Sequence, residues 1–278
     1  MDSPNDAEKT VRELGERFVV ADVTRAMHPS DFLLDGFGHD AAFVDLPRNA
    51  DDVLVINTDR SGINVAYKFG LAGPECVGDL GVSHAVSDVV VAGGVPRAVT
   101  VALLLPADST IGFVRGVMKG AELAAERYGA SIVGGDTKQN PKFAIVVTVV
   151  GTAHRDKRVR RSGAQPSDLL VVTGYLGSML LGMMAFGKSL PIGDRARRVV
   201  ESALVNQRPP FRLGRAVSDA GIARAGIDIS DGLPGAIHAL CEASGVGALV
   251  DERRIPLHPE LADLFAASGL GPLQLSSA

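Results

Sequence analysis

The chain has 278 residues, of which 46% are hydrophobic and 22% charged, and this length and composition predict a globular protein of two domains. Its net charge of -4 argues against a nucleic-acid partner, and two distant cysteines, Cys76 and Cys241, indicate neither a disulfide scaffold nor a zinc site. The longest apolar runs fall short of the ~20 residues that span a bilayer, so we expect a cytoplasmic protein with no membrane partner.

Strand-like and helix-like segments alternate in the first half of the chain. Runs rich in Val, Ile and Leu, bounded by Gly, Pro or Asp, predict strands over 52–59, 98–105, 131–133 and 142–153. Apolar residues spaced three and four apart predict helices over 78–92 and 110–128, the second with Ser109 as its N-cap.

A charged stretch over 154–161 interrupts this alternation and predicts a domain boundary. We therefore expect an amino-terminal domain over 1–155 and a carboxyl-terminal domain over 156–278. In the second domain the pattern predicts strands over 169–173 and 226–229. It also predicts helices over 177–186, 195–205, 211–219 and 233–243.

Five short acidic segments recur in a fixed order, each placing an aspartate where an apolar stretch meets a turn or a helix. They contain Asp40, Asp59, Asp88, Asp136 and Asp231. Several carboxylates delivered to one place are costly to bury unless a cation lies between them, and Mg²⁺ prefers oxygen ligands of this kind. The pattern therefore predicts a site for metal and phosphate.

Each segment taken alone also has a purely structural interpretation. Asp40 suits a turn, Asp59 suits a cap, and Asp231 suits the N-cap of the helix that follows it. Arg161 belongs to a basic stretch that serves equally as a solvated linker or as a phosphate contact. Asp88 is different, because it lies inside an apolar helical stretch where an unpaired carboxylate is unfavourable, and this favours a functional role.

Taken together, the five segments resemble the aminoimidazole ribonucleotide synthetase-like superfamily of ATP-dependent enzymes. Ser87-Asp88-Val89, followed by Gly93-Gly94-Val95-Pro96, is similar to its most characteristic motif. The segment Gly134-Gly135-Asp136-Thr137 favours the kinase and hydrogenase-maturation branches. The stretches 161–168, 172–177 and 228–233 are most similar to the thiamine-monophosphate kinase branch.

This resemblance implies an α+β fold of the two-domain α/β type. A mixed sheet in the first domain would pair with its copy into a barrel shared by a homodimer, and an α/β sandwich would form the second domain, whose truncation at residue 278 stays open. ATP and Mg²⁺ would bind in the cleft between the domains, together with a small-molecule phosphate acceptor.

The resemblance also implies a role for particular residues. The metal ligands would be Asp40, Asp59, Asp88, Asp136 and Asp231, with Asp136 and Asp231 also catalytic. The nucleotide would be held by Thr58, Gly135, Thr137, Lys138 and Arg161. This chain has His39-Asp40 where the kinase pattern has two adjacent aspartates, which removes one carboxylate from the metal cluster.

Three functions are consistent with this sequence. The first is an ATP- and Mg²⁺-dependent phosphotransferase acting on a small phosphorylated metabolite, most similar to thiamine-monophosphate kinase. The second keeps the fold but activates an amide oxygen with ATP for cyclisation or dehydration. The third is a non-catalytic dimer that binds nucleotide. No Gly-x-x-x-x-Gly-Lys-Ser/Thr loop or protein-kinase signature is present, so the common nucleotide-binding alternatives have no support.

Overall fold

The computed structural model describes residues 8–28, 33–34, 43–44, 51–188 and 192–277. Up to residue 154 the elements are α1 (Val11–Leu14), α2 (Glu16–Arg25), β1 (Leu33–Leu34), β2 (Phe43–Val44), β3 (Asp52–Ser61), α3 (Val65–Lys68), α4 (Glu75–Val91), β4 (Val95–Leu105), α5 (Ile111–Arg127), β5 (Ser131–Gln139) and β6 (Ala144–His154). The predicted α+β class is confirmed.

A mixed four-stranded sheet with the order β3-β6-β4-β5 forms the centre of this half. Strand β6 is antiparallel to both β3 and β4, and β4 is parallel to β5. Parallel neighbours need a crossover connection, and α5 supplies it between β4 and β5. The four predicted strands of the first half are therefore confirmed, with β5 extending well past its predicted end.

Among the described residues, helices cover one face of this sheet. Alternate residues of β4, such as Val99, Val101 and Leu103, are buried in the core that α4 and α5 share with the sheet. On the other face Leu54 and Ile56 of β3 remain 48% and 62% exposed. Strands alternate their side chains between the two faces, so the sheet has one packed face and one face that no described helix covers, called here the open face.

Helices α4 and α5 approach each other through glycines. A Cβ added to Gly78 of α4 would overlap the carbonyl oxygen of Val117, and one added to Gly120 of α5 would overlap that of Glu75. The helices thus make backbone contact. Thr110 caps α5, with its side chain accepting a hydrogen bond from the backbone N–H of Phe113, so the predicted Ser109 cap is wrong by one residue.

The second half of the described chain is helical. Its elements are α6 (Ser178–Lys188), α7 (Asp194–Val205), α8 (Phe211–Ala220), α9 (Leu233–Ser244), α10 (Ala262–Ser268), α11 (Pro272–Leu275) and the 3₁₀ turns Glu252–Arg254 and Pro259–Leu261. A small core joins α6 and α7 to residues 261–275. The predicted helices of this half are confirmed.

The two strands predicted for this half, over 169–173 and 226–229, are not assigned as strands. The first lies at the surface, with Leu169 and Val171 88% and 77% exposed. Apolar composition indicated strands there, but within the described residues the sheet's strands all lie at or before His154. The division into domains at residues 155 and 156 stays a prediction. None of the helices described is both long enough and apolar enough to cross a bilayer.

Candidate nucleotide and metal site

A cavity of about 240 Å³ lies where the two halves of the chain meet. Three polar groups from distant parts of the sequence line it: Asp88 on the last turn of α4, Arg161 and Asp228. Asn57 of β3 adds an amide. A larger and shallower cavity of about 690 Å³ lies elsewhere, beside Arg12, Asp108 and Asn140, and contains none of the predicted site residues.

Backbone hydrogen bonds bring these groups together. The N–H of Val159 donates to the carbonyl oxygen of Ala92 at 3.0 Å, just past the end of α4. The N–H of Gly226 donates to the carbonyl oxygen of Arg160 at 2.9 Å. The segment 157–161 therefore crosses the end of α4 and carries the segment with Asp228 alongside it.

Asn57 holds the carboxylate of Asp88 directly. Its Nδ2 donates to Asp88 Oδ2 at 2.8 Å and to the carbonyl oxygen of Ala85 at 3.2 Å, so one amide group is fixed to two successive turns of α4. Because Asn57 precedes Thr58-Asp59 on β3, the alternation of the strand places Asn57 and Asp59 on the face toward α4.

The cavity is electrostatically unfavourable for the ionised carboxylate of Asp88. Burial raises the pKa of Asp88, and the nearby negative charges of Asp228 and Asp59 raise it further. Arg161 and the hydrogen bond from Asn57 act in the opposite direction. A carboxylate that is half-buried beside two others is a group that a bound cation would stabilise.

The structure brings together only part of the predicted set. Asp88 and Arg161 line the cavity, and Asp228 lines it with them although the prediction chose Asp231. Asp59 is not part of the lining but lies close enough to raise the pKa of Asp88. Asp231 is exposed in the turn before α9, outside the cavity lining. Its alternative role as the N-cap of α9 is wrong, because Gly232 occupies that position.

Thr58 lies on the open face of the sheet. Its hydroxyl is 2.9 Å from that of Thr148, its partner on β6. Alternation along β3 thus points Thr58 and Asp59 to opposite faces, and Thr58 lies apart from the cavity that contains Asp88.

Asp136 and Lys138 also lie on the open face. Asp136 is in register with Ala102 of β4, which is in register with Val146 of β6 and through it with Arg60 of β3. Three strand spacings separate β5 from β3, a distance of ~14 Å. Within one chain the sheet therefore separates Asp136 from Asp59 and Asp88.

The segment Gly134–Thr137 is part of a continuous strand rather than a turn. The N–H of Thr137 donates to Asp136 Oδ1 at 2.8 Å, and Thr137 itself faces the helices. A Cβ at Gly135 would overlap the carbonyl oxygen of Val101, whereas one at Gly134 would meet open space. Gly135 is therefore required by the close approach of β4 and β5.

Asp40, and with it His39, lies outside the described residues. Within the ranges that the structure does describe, no group of three or more His, Cys, Asp or Glu side chains is close enough to hold a metal ion. The donors present, the carboxylates of Asp59, Asp88 and Asp228, are nevertheless the hard oxygen ligands that suit Mg²⁺. Magnesium commonly completes its coordination with water and substrate phosphates, so these donors fit it as a partial set.

Two residues of the cavity were missed by sequence reasoning. Asp228 lies within the segment 228–233, where alternation puts it on one face with Ser230, and Ser230 Oγ donates to Asp228 Oδ1 at 3.2 Å. Asn57 immediately precedes Thr58-Asp59, and strand alternation alone places it on the same face as Asp59. The alternation of side chains along each segment indicated both residues, but the prediction chose site residues by their type and left them out.

Comparison with known proteins shows which class of protein this fold resembles. Residues 38–153 match the family described as AIR synthase related protein, N-terminal domain. Solved structures of the hydrogenase maturation protein HypE superpose with a TM-score of 0.74 at 21% identity, covering 92% of this chain and 77% of that one, which shows a shared fold.

Closer similarities identify the family within that class. The thiamine-monophosphate kinase of Methanospirillum hungatei is 33% identical over 84% of this chain and 74% of its own length, and that of Synechococcus elongatus is 28% identical over 90% and 76%. The crystal structure of thiamine-monophosphate kinase from Stenotrophomonas maltophilia superposes with a TM-score of 0.79 at 25% identity, covering 94% of this chain and 81% of that one. The chain belongs to the thiamine-monophosphate kinase family.

A further solved structure carries ligands. The complex of AaThiL with AMPPCP and TMP superposes with a TM-score of 0.72 at 26% identity, covering 97% of this chain and 83% of that one. The similarity thus extends over nearly all of this chain, including both halves that line the cavity.

Proposed function

We propose that this protein transfers the γ-phosphoryl group of ATP to the phosphate of thiamine monophosphate, giving thiamine diphosphate and ADP. The observation that supports this most directly is the cavity in which Asp88, Asp228 and Arg161 meet, in a chain of this family. We further propose that the enzyme requires Mg²⁺ and acts in the cytoplasm.

Particular side chains would bind the metal and the phosphates in this reaction. Asp59, Asp88 and Asp228, together with Asp40, would hold Mg²⁺, which neutralises charge on the transferring phosphoryl group. Asp231, which lies close to Asp228 in the sequence, would contribute a carboxylate to the same metal cluster. Asn57 keeps the carboxylate of Asp88 oriented, and Arg161 offers a guanidinium fork that matches phosphate oxygens.

The chemistry of the acceptor makes a general base unnecessary, and no histidine or glutamate is among the described residues that line the cavity. A phosphate monoester carries a charge between about -1.5 and -2 at pH 7, so the attacking oxygen needs no proton removed. Positioning and electrostatic stabilisation are then what the protein must supply, and the groups around the cavity are of that kind.

Incubation with ATP, Mg²⁺ and thiamine monophosphate tests the proposal. We expect ADP and thiamine diphosphate in equal amounts. A dehydrated or cyclised product from another acceptor would instead support amide activation, and ATP binding without turnover on any acceptor would support a non-catalytic dimer. Either result would contradict the proposed function.

We also propose that the protein works as a homodimer in which the open faces of two sheets meet. Leu54 and Ile56 are neighbouring exposed apolar side chains on the face that carries Thr58 and Asp136, and contiguous exposed apolar patches mark protein–protein contacts. Pairing of these faces would bury the apolar residues. It would also let Asp136, Thr58 and Lys138 of one subunit contribute side chains to the site at the cavity of the partner.

Subunit complementation provides a test of this arrangement. We expect Asp88→Asn and Asp136→Asn each to be inactive alone. If each site combines groups from two subunits, a heterodimer has one intact site, and an equal mixture refolded together should recover about a quarter of the wild-type activity, since half of the dimers are mixed. An inactive mixture whose dimers have been shown to exchange subunits would refute the shared site.

The contact between Asn57 and Asp88 gives a second prediction. Asn57→Ala removes both hydrogen bonds that tie β3 to the end of α4, and groups that orient a metal ligand are typically worth about 10- to 100-fold in metal affinity or activity. We expect the Mg²⁺ concentration for half-maximal activity to rise about tenfold.

The matched control is Asn206→Ala, since Asn206 also donates from Nδ2, to Ser202 Oγ at the end of α7, away from the cavity. It should leave the Mg²⁺ requirement at the wild-type value. An unchanged requirement in Asn57→Ala would mean that Asp88 is held adequately by α4 alone.

A further inference from the structure

Ser244, the last residue of α9, makes three hydrogen bonds to a single turn. Its Oγ accepts from the backbone N–H groups of Gly163 and Ala164, both at 3.2 Å, and donates to the carbonyl oxygen of Arg161 at 3.3 Å. The turn lies 80 to 83 residues earlier in the sequence. One hydroxyl therefore fixes the backbone on both sides of Ser162.

The turn has little room to rearrange around this hydroxyl. Gly163 has a φ of +122°, and a Cβ there would lie 2.8 Å from the carbonyl oxygen of Arg224. Asp168 accepts from the N–H of Gln165 at 2.8 Å and from Arg224 Nε at 3.1 Å. Ser244 thus belongs to a small set of contacts that fixes the backbone following Arg161.

Helix α9 connects two sides of the cavity. The helix begins directly after the turn that follows Asp228, and at its other end Ser244 contacts the backbone of Arg161. The side chains of Asp228 and Arg161 both line the cavity. Because α9 joins these two sides, the position of the Arg161 backbone depends on the helix that follows Asp228.

We propose that Ser244 is a positioning residue that sets the approach of the Arg161 guanidinium to the phosphates of the bound nucleotide. The inference rests on the proposed function, because it takes Arg161 to contact ATP. An arginine side chain has many rotamers, and it binds phosphate well only when its backbone is held so that the planar fork faces the oxygens. Nothing in the cavity itself identifies this serine, whose hydroxyl points to the backbone of the turn.

The test compares Ser244→Ala with Ser244→Thr, which keeps the hydroxyl. We expect Ser244→Ala to raise the KM for ATP about fivefold, the effect of losing net hydrogen-bond energy in the turn, with kcat nearly unchanged. Ser244→Thr should restore most of the affinity. The matched control is Ser268→Ala, because Ser268 also ends a helix, α10, precedes a glycine and bonds to the backbone of its own turn.

A double-mutant cycle separates positioning from general stability. If Ser244 acts through Arg161, adding Ser244→Ala to Arg161→Ala should cause no further rise in the KM for ATP. An additive rise in the double variant, or an unchanged KM in a folded Ser244→Ala, would overturn the inference. If Ser244→Ala does not fold, the value for Ser244→Thr decides, since a weakened affinity there would contradict a role for the hydroxyl. Wild-type protein that fails to turn over ATP would refute the proposed function itself.

Discussion

Asp88→Asn should lower the rate of phosphoryl transfer by at least about a hundredfold while leaving the protein folded. Asparagine has the same shape and still accepts the hydrogen bond from Asn57, which in the native chain is 2.8 Å long. It lacks the charge that would hold Mg²⁺, so the loss should fall on catalysis. The measurement is ADP formation at saturating ATP and acceptor.

The same substitution should stabilise the protein without ligands at neutral pH. Burial and two nearby carboxylates raise the pKa of Asp88 in the folded state above its unfolded value, so the folded state prefers the protonated form. The stability from this preference is fully present below the unfolded pKa and is lost as the pH rises through the folded pKa. Asparagine does not ionise and avoids that loss.

We therefore expect the melting temperature of Asp88→Asn to exceed that of the wild type at pH 7 and the difference to shrink as the pH falls toward about 4, near the unfolded carboxyl pKa. Asp108→Asn, an exposed position beside the other cavity, is the control and should change neither activity nor melting temperature appreciably. A less stable Asp88→Asn at neutral pH would indicate that the ionised carboxylate is already well compensated in the native protein.

Gly120→Ala should strongly destabilise the folded protein. The new Cβ would overlap the carbonyl oxygen of Glu75, so α5 must move away from α4 along a backbone contact that cannot adjust by a rotamer change. Overpacking of a core typically costs about 1 to 3 kcal/mol, and backbone contact places this position at the upper end or beyond. Urea unfolding measures the change.

Gly187→Ala provides the matched control for this prediction. Gly187 also lies in a helix, next to the last residue of α6, but among the described residues an added Cβ would meet just the ring of Phe69, at an ordinary 3.8 Å. Helix propensity alone favours alanine by up to about 1 kcal/mol, so this variant should be as stable as the wild type or more stable. Comparable destabilisation of both variants would contradict the role of close helix packing.

Much of the fold could be predicted from periodicity. The three- and four-residue spacing of apolar positions located α5 and α9 to within a few residues, because these helices bury one face. Helix α4 was also located to within a few residues, although it is buried on most of its surface. Apolar composition, by contrast, predicted a strand over 169–173, where no strand is assigned and Leu169 and Val171 are exposed. Composition predicts that a segment can form a strand, but pairing decides whether it does.

The candidate site was predictable in part. Asp88 stood out because a carboxylate in an apolar helix requires a partner, and the structure shows a hydrogen bond to it from Asn57. Its functional role stays a prediction. Thr58 and Asp136 were assigned to the same site by family pattern, although alternation along β3 and β5 places them on the other face of the sheet. Whether two subunits reunite these residues depends on association, which the local pattern of one chain does not encode.

The backbone contact between α4 and α5 has a consequence for how the cavity receives its ligand. Helix α4 is held against α5 by backbone contacts near its first turn, and Asn57 holds Asp88 and the carbonyl of Ala85 near its last turn, so Asp88 is preorganised and little entropy is lost there on binding. The opposite side, from Arg161 to Asp228, depends on a few backbone and hydroxyl hydrogen bonds and is the softer side. When different nucleotides bind, we therefore expect the segment from Arg161 to Asp228 to shift, while α4 and Asp88 keep their positions.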